Sequence, residues 1–151
     1  MGDIQLQQRR QKKLHRRPHS ILSSNFEDHY ILSGHQLGSG AFSRVEECFK
    51  RRKKASAVVE TESSNLIYAV KIIEKVQGFY SRPKILREID TYHLCQGHPN
   101  IIQLLEYFED THNFHLILEK LEGGPLLNFL QTRQSFFSEY EASLIIQDLT
   151  K

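Results

Sequence analysis

The chain has 151 residues, of which 39% are hydrophobic and 25% charged, with a formal net charge of +2. This composition predicts one soluble globular domain with a core of ordinary size. The sequence contains no run of about 18 apolar residues that could span a bilayer, and its start lacks the apolar stretch of a secretory signal. We therefore expect a cytoplasmic or nuclear location, or both.

A basic cluster lies near the start of the chain. Its members, interleaved with glutamine, are Arg9, Arg10, Lys12, Lys13, Arg16 and Arg17. Because this stretch has too few apolar residues to offset the entropy lost on ordering, residues 1–29 are predicted to form a disordered basic tail. Three interpretations stay open for the tail: a solvated segment, a nuclear-import signal read by an import receptor, or a dock for an acidic or RNA-bearing partner.

From Tyr30 onward, short runs of β-branched and aromatic residues punctuated by glycine predict strands joined by tight turns. Residues 30–37 and 44–49 form a predicted hairpin around a glycine-rich turn. The basic and then small, polar residues of 50–65 show no helical period and predict an exposed loop. Residues 66–73 form a third strand that is mostly buried.

The second half of the predicted domain contains both helices and strands. A helix is predicted to start at Arg82-Pro83, where proline fits the first turn, and to end near Gly97 in a left-handed cap. Residues 101–108 and 114–118 form two more strands, which gives five strands and one helix. Helical patterns return at 126–131 and after Ser138, where Glu141 completes a capping box. The last helix carries an apolar stripe with no remaining chain to cover it, so we expect the sequence to continue in a longer protein.

The glycine-rich turn follows a G-x-G-x-x-G-type pattern in which Ser43 replaces the third glycine. Small residues here let backbone N–H groups approach phosphate oxygens. A dinucleotide-binding fold would need a helix directly after the turn, but a strand follows. A nucleotide triphosphatase loop would end in G-K-[ST], which is missing. A structural hairpin without a ligand stays open on this segment alone.

Lys71 stands in an otherwise apolar strand and is the strongest chemical signal in the sequence. Lysine is seldom buried without a partner, because an unpaired ammonium costs several kcal/mol or loses its proton. Glu88, in the helix that follows, can supply the carboxylate. The pair would place a positive charge beside the phosphates of a nucleotide. The alternative is a lysine that extends out of an edge strand into water.

The order of these elements resembles the protein kinase family: glycine-rich hairpin, V-A-I-K-like strand, helix with a glutamate, two strands and a Gly-Gly linker. The resemblance covers residues 30–151. Within that family, Tyr68–Lys75, Arg87–Ile89, Cys95–Gly97, Phe108–Asp110 and Leu118–Gly124 are most similar to MAP-kinase-interacting kinases of the calmodulin-kinase-like group. The resemblance implies an α+β fold, with a kinase N-lobe and hinge at 30–121 and the start of a helical C-lobe at 122–151. The N-lobe would contain a five-stranded antiparallel sheet and one helix.

The resemblance also implies a function and its residues. It implies a serine/threonine kinase that uses ATP and Mg²⁺, is activated by MAP kinases and phosphorylates the cap-binding translation initiation factor while docked on a scaffold protein. Lys71 and Glu88 would be catalytic. The nucleotide-binding residues would be Leu37, Gly38, Ser39, Gly40, Ala41, Phe42, Ser43, Val45, Ala69, Lys71, Leu118, Glu119 and Leu121.

Each part of the predicted site has its own role in this resemblance. The backbone of 39–43 would cover the phosphates, with Phe42 shielding them from water. Leu37, Val45 and Ala69 would form the roof over the adenine, Leu118 would be the gatekeeper, and the backbone of Glu119 and Leu121 would contact the adenine edge. Tyr92 and Leu104 would belong to the packed column behind the site.

Several features depart from the family pattern or are missing from it. Pro125 stands where many kinases have a ribose-contacting residue, and the loop at 49–65 is a long insertion without an assignable role. The sequence has no H-R-D, downstream asparagine, D-F-G or A-P-E motif, so we expect no Mg²⁺ ligands and no phosphoryl transfer from this chain alone. Its histidines and cysteines do not form a zinc pattern. The alternative function is a non-catalytic module that competes for kinase partners through the basic tail; nucleic-acid binding by the tail is a weaker idea.

Overall fold

The computed structural model describes residues 25–51, 66–78, 81–133 and 137–150. These ranges contain, in chain order, α1 Phe26–His29, β1 Tyr30–Ser39, β2 Ser43–Lys50, β3 Ile67–Glu74, α2 Arg82–Leu94, β4 Leu104–Glu109, β5 Asn113–Glu119, α3 Leu126–Thr132 and α4 Glu139–Thr150. Within them, no helix is long and apolar enough to cross a membrane.

The five strands form one sheet in the order β1-β2-β3-β5-β4, and every neighbouring pair is antiparallel. The predicted five-stranded antiparallel sheet is therefore confirmed. The strand β4 begins at Leu104, three residues after the predicted start at Ile101. The reason is local, because residues 98–101 form a turn in which the Ile101 N–H donates to the His98 carbonyl at 3.4 Å.

Both faces of the sheet carry buried side chains, which alternate between the faces along each strand. The first face carries the cluster Phe26, Tyr30, Cys48, Val70, Ile72, Phe108 and Ile117. The second face carries the cluster Ala69, Ile85, Ile89, Leu104, Phe114, Leu116 and Leu118, to which helix α2 contributes two isoleucines. Helix α2 therefore covers the face of β3 from which Lys71 projects.

Helix α2 has the boundaries that its sequence signals favour. Proline 83 lies in the first turn, and the N–H groups of Lys84 and Ile85 donate to the Ser81 carbonyl at 3.0 and 3.2 Å. The helix ends at Leu94, and Gly97 follows with φ +87°, in the left-handed conformation predicted for it.

The capping box predicted for the last helix is confirmed. The Ser138 N–H donates to Glu141 Oε2 at 2.9 Å, and the Glu141 N–H donates to Ser138 Oγ at 3.3 Å. The hydrogen bond from the Ser138 backbone, helped by Arg133, lowers the pKa of Glu141 to about 2. Ile146 and Leu149 on the predicted apolar stripe are exposed.

The folded part begins earlier than predicted. Residues 26–29 were assigned to the disordered tail, but they form α1, and Phe26 is only 3% exposed. Its ring stacks on His115 at a centroid distance of 4.6 Å and on Tyr30 at 5.7 Å. One aromatic residue in a short polar helix gives no periodic signal, which is why the sequence pattern missed it. Residues 1–24, the rest of the predicted tail, and residues 52–65 of the predicted insertion lie outside the described residues.

His115 makes the stability of this face depend on pH. It is 4% exposed, and burial lowers its pKa below the usual 6.5, despite the opposing effect of Asp110. Protonation is therefore easier in the unfolded chain than in the folded one, so the neutral ring stabilises the fold above pH 6.5. This contribution is lost as the pH falls through the folded-state pKa.

We expect His115→Phe, which keeps an aromatic ring against Phe26 but cannot titrate, to flatten the decline in unfolding free energy between about pH 7 and pH 5. Urea unfolding at a series of pH values measures this. Glu109 and Glu141 have pKa values lowered from the usual 4.5, so their protonation affects the unfolding free energy only below the range of pH 7 to pH 5. An unchanged decline in the variant would show that His115 is not the titrating group.

Candidate functional site

Lys71 and Glu88 form an ion pair between β3 and α2. The distance from Lys71 Nζ to Glu88 Oε1 is 2.7 Å, and the side chains are 26% and 35% exposed. The pair is therefore partly open to solvent rather than sealed in the core. An ammonium held in this way remains within reach of an anion from outside.

The pair lines an open cavity of about 300 Å³ between the glycine-rich turn, β3 and α2. The lining residues are Ala41, Phe42, Ser43, Lys71, Ile73, Lys84, Ile85 and Glu88. Five of these belong to the predicted site. The other three were not predicted. Ile73 lies two residues after Lys71 on one strand face, and Lys84 and Ile85 precede Glu88 by one helical turn, but this spacing alone does not show that they line a cavity.

The glycine-rich turn is held close to β3. The Gly40 N–H donates to the Ser43 carbonyl at 2.7 Å, and the Glu74 N–H donates to the Phe42 carbonyl at 3.0 Å. A Cβ on Gly40 would lie 3.1 Å from Ser43 Oγ, so the serine side chain would have to shift by a few tenths of an ångström to accept one. At Gly38 a Cβ would meet nothing within 4 Å, and φ is not positive at either glycine. Neither the backbone nor a neighbour explains glycine at 38, whereas a closely approaching ligand would.

Two of the predicted roof residues, Val45 and Ala69, share one face of the sheet beside the cavity, whereas Leu37 lies at an irregularity in the pairing of β1 with β2. None of the three lines the cavity. Ala69 pairs with Leu118 across β3 and β5, and Val45 pairs with Lys71 across β2 and β3. Ala69 and Leu118 are buried at 6% and 5% exposure, whereas Leu37 on β1 is 39% exposed. Together they extend an apolar surface from the ammonium toward the end of β5.

The two residues predicted to contact the adenine edge lie at the end of β5 and just beyond it. The Glu119 N–H donates to the Gln103 carbonyl at 3.1 Å, so an adenine contact at Glu119 would have to use its carbonyl group. Leu121 is 64% exposed in a segment outside the strands and helices. Gly123 and Gly124 then turn the chain toward α3 with φ of +96° and +71°.

The helix that carries Glu88 is fixed at its start by ion pairs to β4. Arg82 donates to both carboxylate oxygens of Glu109, from Nε to Oε1 at 3.0 Å and from Nη2 to Oε2 at 2.9 Å, and Lys75 Nζ lies 3.0 Å from Oε1. These cations, Arg82 foremost, lower the pKa of Glu109. Bidentate geometry of this kind fixes direction as well as distance, so it fixes the helix start relative to the sheet.

Residues behind the pair also hold Glu88 in place. Tyr92 and Leu104, which the sequence placed in a packed column, belong to the cluster that buries α2 against the sheet. Burial raises the pKa of the Tyr92 phenol, and the nearby Glu88 carboxylate raises it further. Tyr92 therefore remains a neutral donor next to that carboxylate.

The arrangement can bind an anion next to an apolar surface, because two lysines, Lys71 and Lys84, line the cavity and the apolar roof residues lie beside it. Among residues 25–51, 66–78, 81–133 and 137–150, no group of three or more His, Cys, Asp or Glu side chains could hold a metal ion. The described residues thus offer groups for the phosphates and the base of a nucleotide and no metal cage of their own.

Comparison with known proteins identifies the class. The sequence profile of the protein kinase domain matches residues 31–151. The chain therefore belongs to the protein kinase family, as its motif order predicted.

Individual relatives show which group of protein kinases this chain is similar to. MAP kinase-interacting serine/threonine-protein kinase mnk-1 of Caenorhabditis elegans is 41% identical over 125 residues, which cover 83% of this chain and 16% of that protein. MAP kinase-interacting serine/threonine-protein kinases 2 and 1 of Xenopus laevis are 36% and 38% identical, over 95% and 93% of this chain and 28% and 31% of theirs. The predicted similarity to this group is confirmed, and the chain spans less than a third of each of these three relatives.

A glycine-to-alanine pair tests whether the turn faces a ligand. We expect Gly38→Ala to leave the unfolding free energy within about 1 kcal/mol of the parent, since its backbone suits alanine, but to weaken ATP binding. Gly34→Ala is the matched control in the same strand. Gly34 has φ +81°, so alanine there should cost about 1 kcal/mol of stability and leave ATP affinity unchanged.

Urea unfolding and a titration with a fluorescent ATP analogue measure both quantities for each variant. Unchanged ATP affinity in Gly38→Ala would mean that no ligand approaches this part of the turn.

Proposed function

We propose that this chain provides the ATP-binding portion of a serine/threonine protein kinase. The observation that carries the proposal is the Lys71–Glu88 ion pair, which holds an ammonium at 2.7 Å from a carboxylate on the wall of an open cavity beneath the glycine-rich turn. The apolar roof and the segment after β5 lie beside this cavity, so a base could bind against them while the triphosphate binds in the cavity.

The residues present fit ATP in three ways. The Lys71 ammonium would bind the α- and β-phosphates, and Glu88 would keep it oriented toward them. The turn at 39–43 would cover the phosphates and exclude water through Phe42. Val45 and Ala69 would cover the adenine, whose edge would meet the Glu119 carbonyl and the Leu121 backbone. ATP bound with Mg²⁺ supplies the phosphoryl group, and the described residues hold and orient it.

Phosphoryl transfer to protein serine or threonine is proposed for a longer protein that contains this chain. The 151 residues contain none of the catalytic-loop or metal-binding motifs, so we expect ATP binding without transfer from the chain alone. The relatives' names describe proteins that interact with MAP kinases, and we propose the same partners here. A translation-initiation scaffold and an import receptor are further partners proposed from the resemblance.

The alternative function, a module that competes for kinase partners through its basic tail, depends on Arg9 to Arg17. These residues lie outside the described part of the chain, so the alternative stays second.

Substitution of the ammonium tests the proposal. We expect Lys71→Met to weaken ATP binding by about tenfold or more, since a charge-assisted contact to phosphate is lost, while the unfolding midpoint changes little. Lys50→Met is the matched control. Lys50 also pairs with a glutamate, Glu106 at 3.0 Å, but lies outside the cavity lining.

Isothermal titration of each variant with ATP in the presence of Mg²⁺ measures the effect, and circular dichroism checks the fold. Equal ATP affinity in Lys71→Met and the parent would refute the role given to Lys71. An equal loss in both variants would show that the effect comes from general charge and not from the site.

A further inference from the structure

A second lysine–glutamate pair lies at the other end of the apolar surface. Lys120, the first residue after β5, has its Nζ 3.0 Å from Glu47 Oε2 and 3.4 Å from Glu122 Oε1. The Lys120 and Glu47 side chains are 18% and 13% exposed, whereas Glu122 is 82% exposed. The contact with Glu47 is therefore the sheltered one, and the contact with Glu122 lies in solvent.

The pair joins strands that are not neighbours. In the register of the sheet, Glu47 of β2 stands opposite Ala69 of β3, and Ala69 stands opposite Leu118 of β5. Since adjacent strands lie about 4.8 Å apart, Lys120 reaches across β3 to a strand about 10 Å away. It thereby connects the segment that follows β5 to the strand that leads out of the glycine-rich turn.

Glu47 lies on the face of the sheet that covers the proposed nucleotide. It shares that face with Ala69, which stands directly opposite, and with Val45, two residues earlier on β2. Lys120 lowers the pKa of Glu47, and Glu47 raises the pKa of Lys120, so both groups are charged at neutral pH and neutralise each other.

The residue before Lys120 is anchored on the opposite side. Glu119 Oε1 accepts a hydrogen bond from the Gln103 N–H at 2.9 Å, and the Glu119 N–H donates back to the Gln103 carbonyl at 3.1 Å. The Gln103 side chain is buried and bonded in turn to the Gly97 N–H at 2.7 Å. Consecutive residues at the end of β5 are thus held from both sides, by the loop after α2 and by β2.

We propose that the Glu47–Lys120 ion pair is a positioning device for adenine: it fixes residues 119–122 relative to β2, so that the backbone of Leu121 stays aligned with the roof over the base. This inference rests on the proposed ATP-binding function. The pair touches no phosphate site, because the cavity that contains Lys71 is lined by other residues.

Two probes separate this role from phosphate binding. ATP would contact both the cavity and the adenine-binding segment, whereas inorganic tripolyphosphate carries no base and would bind only at the Lys71 end. We expect Glu47→Gln and Lys120→Met to weaken ATP binding about three- to fivefold and to leave tripolyphosphate binding unchanged. Glu122→Gln is the matched control, and it should change neither affinity.

Hydrogen exchange of the nucleotide-free chain tests the fixation itself. The amides of Leu121 and Glu122 should exchange faster in Glu47→Gln and Lys120→Met than in the parent, and at the parent rate in Glu122→Gln. Unaltered exchange in the first two variants would overturn the inference, whatever the binding data show. So would an equal loss of affinity for ATP and tripolyphosphate. A parent chain that binds neither probe would instead overturn the proposed function, while exchange alone still decides whether the pair holds the segment.

Discussion

The organisation of the site depends on the contact between Lys71 and Glu88. Glu88 holds the Lys71 ammonium at the wall of the cavity, and Glu88 can stay there only if α2 lies against β3 in one orientation. The rest of the lobe meets this requirement. Ile85 and Ile89 bury the inner side of the helix, and Glu109 fixes its first turn through Arg82. Packing and electrostatics therefore specify the same helix position.

The two faces of the sheet have different structural roles. One face is closed by aromatic residues, among them Phe26 from α1, and it serves as core. The other face is shared between α2 and the apolar surface that runs from Lys71 to the end of β5. Because β3 alternates between the two faces, Val70 and Ile72 pack on the first face, while Lys71 on the second face lines the cavity. Strand periodicity thus places a charged residue next to the core without burying it there.

Much of this organisation could be predicted from the sequence, because its signals are local. Glycine-punctuated β-branched runs located all five strands, and Pro83, Gly97 and the Ser138–Glu141 box set helix ends. Features without a local signal were missed or misplaced. Helix α1 is too short to show a period, and Ile101 continues an apolar run although its backbone turns. Lys84 lines the cavity only because the turn at 40–43 folds back toward the helix. The Glu47–Lys120 pair joins residues far apart in the chain, and no sequence pattern in either segment predicts this contact.

The most direct test of the account follows the side-chain ammonium of Lys71 itself, by NMR of lysine labelled at the terminal nitrogen, while ATP with Mg²⁺ is added. If the Lys71 ammonium binds the phosphates, its signal shifts in proportion to the fraction of chain with ATP bound, and the signal of Lys50 stays in place. If ATP binds while the Lys71 signal does not move, this ammonium does not meet the phosphates, and the site must lie elsewhere.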